Sequence, residues 1–176
     1  GRALVFVRDV ASGRTTLVSR AAGAAGASAD DDAYEPSISA DGRFVAFTSA
    51  AGNLGEDGRR SRIWVRDLAT DTIASVSGGR GFAFDPSISS GGRFVTWAAR
   101  PTVDGRARSD RATVWLHDRT TGATTLVSRA TGADGAAADG ASVEPAVSAD
   151  GTRVVFTSTA GDLDRRKPEG LTGVFV

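Results

Sequence analysis

Short runs of Val, Ile, Phe, Trp and Thr alternate along the whole chain with clusters of Gly, Asp, Ser and Arg. Runs of this length and composition fit the pleated surface of a β-strand. The Gly, Ser and Asp punctuation interrupts every stretch that could wind into a long helix. The pattern also recurs. Glu35-Pro36-Ser37-Ile38-Ser39-Ala40-Asp41-Gly42-Arg43-Phe44-Val45 returns as Asp85-Pro86-Ser87-Ile88-Ser89-Ser90-Gly91-Gly92-Arg93-Phe94-Val95. It returns again as Glu144-Pro145-Ala146-Val147-Ser148-Ala149-Asp150-Gly151-Thr152-Arg153-Val154. A phrase repeated at this spacing marks a repeat architecture.

Each unit predicts four strands, A to D. Strand A covers 36–39, 86–89 and 145–148, and strand B covers 43–49, 93–98 and 153–158. The Asp-Gly and Gly-Gly pairs between them supply the positive φ of a tight hairpin turn. Strand C covers 4–8, 63–66, 114–117 and 174–176, each built around an apolar-aromatic-apolar triplet such as Ile63-Trp64-Val65. Strand D covers 15–19, 72–77 and 124–128, reached through short polar turns. Strand B is apolar on both faces, as in Phe44-Val45-Ala46-Phe47, which requires cover on both sides of the sheet. Stacked four-stranded sheets with covered faces are the blades of a β-propeller. The predicted class is all-β: one array over 1–176, with a partial blade at 1–20, blades at 33–78 and 83–129, and a partial blade at 142–176. That is about three blades, half of a six-bladed ring.

Strand alternation puts the B–C loops (50–62, 99–113, 159–173) and the D–A loops (20–34, 78–83, 129–143) on one face. The A–B and C–D hairpins share the other. Length variation is thus confined to one face, the usual place for binding residues on a rigid scaffold.

Twenty-one basic and 21 acidic side chains cancel, so neither nucleic acid nor an anionic membrane is an expected partner. The absence of cysteine excludes disulfides, thiolate metal sites and cysteine nucleophiles. No apolar run is long enough for a membrane helix, and insertion is not expected. Methionine is absent as well, so Gly1 is expected to be a processing boundary, and the Ala, Gly and Arg bias suggests a bacterial source.

The phrase Pro-Ser-Ile-Ser-Ala-Asp-Gly-Arg-Phe-Val-Ala-Phe-Thr-Ser, followed by Ile-Trp-Val-Arg-Asp-Leu, resembles the TolB-type propeller repeat. Pro36, Ser39, Asp41, Gly42, Phe47, Trp64 and Asp67 match it, while the second unit departs at Gly91 and Trp97. That repeat occurs in periplasmic translocation proteins, in propellers that gate some serine peptidases and in bacterial secreted or surface proteins. The resemblance implies a fold and a periplasmic or extracellular location. It transfers no site, because the motif residues are structural in that family.

Candidate chemistry is sparse. His117 is the sole histidine; it occupies the place of Arg8 and Arg66 and reads as a variable surface position on strand C. There is no Gly-x-Ser-x-Gly elbow, and Gly78-Gly79-Arg80-Gly81 reads as a tight blade-to-blade crossing. No catalytic residue, metal site or cofactor is expected. Asp30, Asp31 and Asp32 are the sharpest acidic feature but lack calcium-loop spacing. The B–C loops are rich in arginine: Arg59, Arg60, Arg106, Arg108, Arg165 and Arg166 face D–A loops that are mostly acidic. Together with Asp30–Asp32 they are the candidate binding residues, since arginine forks suit protein interfaces.

Three blades do not close a ring. Closure requires either a second copy, with the hairpin 4–19 completing its partner's last blade, or the remainder of a longer propeller chain; the homodimer is the expectation. The expected function is a non-enzymatic scaffold that holds a protein or peptide on its long-loop face. The alternatives are the non-catalytic propeller of a larger secreted peptidase-type enzyme and, less favoured, a propeller glycosidase. Glu35, Asp85 and Glu144 stand near the channel mouth for the last reading, but their recurrence in every blade reads as structural.

Overall fold

The computed structural model describes residues 1–23, 25–55, 60–103, 106–107, 111–130, 136–164 and 172–175. Two complete sheets dominate. Strands β3 (Ala33–Ile38), β4 (Phe44–Ser49), β5 (Arg62–Asp67) and β6 (Thr72–Ser75) form one. Strands β7 (Phe82–Ile88), β8 (Phe94–Arg100), β11 (Thr113–Asp118) and β12 (Thr124–Leu126) form the next. Both are antiparallel meanders in A-B-C-D order. Before them β1 (Phe6–Arg8) pairs with β2 (Thr15–Leu17); after them β13 (Ser142–Val147), β14 (Val154–Ser158) and β15 (Gly173–Phe175) form a three-stranded sheet. The strands β9 (Thr102–Val103) and β10 (Arg106–Ala107) make a small hairpin inside the second B–C loop. A 3-10 turn, Gly52–Leu54, lies in the first.

The A strands of successive sheets lie against one another, so the sheets fan about an axis on that side. Burial follows the sequence pattern. Val45, Phe47 and Trp64 pack with Val5, Val18 and Leu54 between the β1–β2 pair and the first full blade. Ile63, Val65, Val95 and Trp97 fill the space between the two full blades. Strand B is buried on both faces in each full blade, as its doubly apolar run requires.

Strand A differs from the sequence expectation. It begins at Ala33, Phe82 and Ser142, so Glu35, Asp85 and Glu144 lie inside the strand rather than before it. The pairing with strand B slips there, between Tyr34 and Ser37, Phe84 and Ser87, and Val143 and Ala146. At this bulge the acids have φ of 54, 52 and 54°. Left-handed backbone is unusual for a residue with a Cβ, and a bulge is where it re-aims a side chain.

The repeat phrase holds blades together as well as shaping them. The Ser37 hydroxyl accepts the Ile88 amide and the Ser87 hydroxyl accepts the Val147 amide, both at 3.2 Å. The A–B turns are also chained: the Ala40 amide donates to the Ser90 carbonyl (3.0 Å) and the Ser90 amide to the Ala149 carbonyl (3.1 Å). Arg43 grips Asp67 with two hydrogen bonds of 3.0 and 2.7 Å, and Arg93 grips Asp118 at 2.9 and 2.7 Å. Each fork ties the start of strand B to the end of strand C.

The position shared by Arg8, Arg66 and His117 is not uniformly a surface one. Arg66 is 1% exposed and reaches into the neighbouring β1–β2 unit. Its guanidinium donates to the carbonyls of Val18, Arg20, Ala21 and Asp71 and to the Asp71 carboxylate. His117 is half-buried, its Nδ1 2.9 Å from the Thr124 hydroxyl. Burial pushes its pKa below the ordinary value, so it is uncharged at neutral pH.

Candidate binding surface

The long-loop face is built on the ends of strands B and D. The first B–C loop is pinned to its D–A neighbour by one carboxylate. Asp30 accepts the Gly52 amide at 2.7 Å, the Asn53 side chain accepts the Asp30 amide at 3.0 Å, and Asn53 donates to the Ser28 carbonyl at 2.8 Å. The third unit repeats the clamp: Asp139 accepts the Gly161 amide at 2.7 Å, and Asp162 accepts the Asp139 amide at 3.2 Å. The Gly161 amide first, then hydrogen bonds with Asp162 and the Arg111 charge, hold the Asp139 carboxyl below the usual range.

The acidic triplet does not converge. Asp31 accepts the Asp32 amide, and Asp32 accepts the Ala3 amide of the β1–β2 unit, both at 2.8 Å. Each of the three carboxylates is turned onto a backbone amide. Among the described residues no group of three or more His, Cys, Asp or Glu side chains is placed to hold a metal. Of the arginines, Arg60 is exposed on the loop entering β5, and Arg106 lies on β10 of the small hairpin. Arg59, Arg108, Arg165 and Arg166 lie outside the described residues.

The channel side carries a feature whose linkage sequence reasoning missed. Glu35 accepts the Thr48 hydroxyl at 2.8 Å and, across the blade boundary, the Asp85 amide at 2.9 Å. The Glu144 amide in turn acts on the Asp85 carboxyl, partly offsetting the rise in its pKa. Glu35 thus receives the amide of the next bulge acid, whose left-handed backbone aims that amide. Glu144 is braced by the Thr157 hydroxyl at 3.2 Å. The middle blade has Ala98 where the others have Thr48 and Thr157, so Asp85 has no such brace. Burial first, then the Glu35 charge and its hydrogen bond, push the Asp85 pKa up. The signal in the sequence was the acid-Pro pair that recurs in all three units.

No family model and no curated protein matches the chain. Solved structures do. A TolB protein from Agrobacterium tumefaciens superposes with a TM-score of 0.60 at 17% identity, over 99% of this chain and 52% of that one. TolB from Acinetobacter baumannii gives a TM-score of 0.52 at 16% identity, over 97% of this chain and 34% of that one. The fold is a TolB-like β-propeller. The tricorn protease contains a similar region, with a TM-score of 0.59 at 14% identity over 89% of this chain and 13% of its own. The chain therefore spans about half of one TolB structure and about a third of the other. Identity this low carries the fold alone.

Proposed function

We propose that the chain is a non-enzymatic propeller scaffold whose long-loop face binds a protein or peptide. The observation that carries this reading is the asymmetry of the two faces. The hairpin-turn face is reduced to tight turns cross-linked blade to blade. The opposite face bears the length variation, including the β9–β10 hairpin that only the second unit has among the described residues. Glu35 and Glu144 are bound to hydroxyls of their own blades, and Glu35 also to an amide of the next, which supports a structural role over a glycosidase pair. Similarity to TolB supports a periplasmic or extracellular placement. Similarity to a region of the tricorn protease supports a second reading, a propeller portion of a larger peptidase-type enzyme. In either case further blades complete the ring, from a second copy or from a longer chain.

A displayed peptide library selected on the purified chain tests the scaffold reading. Selected peptides should lose at least tenfold in affinity against Arg60→Glu or Arg106→Glu and be unaffected by Thr70→Arg on the hairpin-turn face. Peptides indifferent to both arginine variants would contradict it.

A further inference from the structure

Among the described residues β1 and β2 supply strands C and D of their unit, and the cleft beside them has a recognisable shape. It measures about 460 Å³ and is walled by Val7, Asp9, Ile38, Gly42 and Leu68 among others. The molecule shows twice what fills the equivalent place. In the second full blade the Phe44 ring of the preceding strand B lies on Gly92, so closely that a Cβ there would come within 2.1 Å of it. The Arg119 guanidinium covers that ring at 4.4 Å, and Ile88 beneath is 7% exposed. In the third unit Phe94 lies on Gly151 in the same way, 1.9 Å from a Cβ built there. At the first blade a Cβ built on Gly42 meets nothing within 4 Å among the described residues, and Ile38, the counterpart of Ile88, is 50% exposed. Leu68 stands where Arg119 stands.

The charge is missing with the ring. Asp9 is the counterpart of Asp67 and Asp118, which hold Arg43 and Arg93 from the adjacent strand B. Like them it is fixed by its own turn, accepting the Ser12 amide at 2.9 Å, but none of the ion pairs found among the described residues involves it. Among the described residues β1 bonds only to β2, so its outer edge is unpaired as well.

We infer that this cleft is the seat of a β-hairpin of the repeat's own Gly-Arg-Phe type, which pairs with the free edge of β1, places its arginine on Asp9 and lays its phenylalanine on Gly42. Side-chain chemistry favours that occupant over the third hairpin of a second copy. There the strand-B register puts Thr152 at the arginine position and Arg153 at the phenylalanine position. Threonine cannot form the fork. An arginine cannot supply the apolar cover that Ile38 lacks. The inference rests on the fold and is independent of the loop-face reading, which the peptide-library experiment tests separately.

Two grafts decide it. Residues 35–49 or residues 144–158 are fused ahead of Gly1 of the full chain through the same Gly/Ser linker, which supplies a high effective concentration. The 35–49 graft should raise the thermal midpoint by several degrees, and the 144–158 graft should not. Asp9→Lys should abolish the gain, and Arg43→Glu within the graft should restore it on the Asp9→Lys background. Because each comparison is between paired fusions, a destabilised background leaves the difference readable. Equal gains from both grafts, or a gain indifferent to Asp9→Lys, would overturn the inference. So would an ungrafted chain that dimerises through Asp9 and Gly42, read as loss of the dimer on Asp9→Lys.

Discussion

Asp85 is a carboxylate with too little compensation. Its neighbours Glu35 and Glu144 have a threonine hydroxyl each, and it has Ala98. Its folded pKa lies above the ordinary value of 3.8 because of burial and the Glu35 charge. Ionisation therefore costs more in the folded protein than in the unfolded chain. The penalty is absent below about pH 4 and sets in as pH rises through the two pKa values. Asn keeps an acceptor for the Glu144 amide and tolerates left-handed backbone. Asp85→Asn should raise the thermal midpoint at pH 7, with a gain that shrinks toward pH 4; a gain that grows on acidification would refute the linkage. The acid-Pro pair was visible in the sequence as a recurrent feature. The bulge was not, because turn and strand chemistry give no sign of a slipped register inside a strand.

Between elements, the contacts that count are those from one blade to the next. Gly42, Gly92 and Gly151 all have φ between 72 and 77°, so an alanine at any of them carries the same left-handed strain, about 1–2 kcal/mol. Only Gly92 and Gly151 lie under a neighbour's ring. Gly92→Ala and Gly151→Ala should each cost about 1–3 kcal/mol more than Gly42→Ala in denaturant unfolding, the penalty of overpacking. Equal costs would mean that the rings do not press on the turns. Arg66 is the other inter-blade tie. Arg66→Met removes donors from four carbonyls and should cost about 2–4 kcal/mol. Arg66→Lys should recover less than half of that, because one ammonium cannot span the fork. The strand order and hairpin turns were legible from Asp-Gly pairs and apolar triplets. The inward path of Arg66 was not, since an arginine on a strand reads as solvent-facing until a second sheet is placed beside it.

For the whole molecule, acid should be the weakness. Asp67 and Asp118 are held well below the usual carboxylate range by the forks of Arg43 and Arg93, and the Ser148 hydroxyl leads the groups that lower Asp150 to about 2. Depressed values stabilise the fold above the ordinary pKa near 4 and lose that contribution as pH falls through the folded values. Stability should decline below about pH 4. Asp67→Asn with Asp118→Asn should flatten the decline, as read by thermal midpoint against pH. Fold class was readable because the repeat states it three times in register. The open seat at Gly42 was not, because it is defined by what two other glycines carry. The whole reading requires sheets stacked side by side about one axis, with their A–B turns in contact. A cysteine-free chain allows a direct test. Ala40→Cys with Ser90→Cys places thiols on turns joined by a 3.0 Å hydrogen bond, and a short bis-maleimide should bridge them within one molecule in high yield. Residues 40 and 90 that fail to bridge while the chain stays folded would contradict the stacked-blade architecture itself.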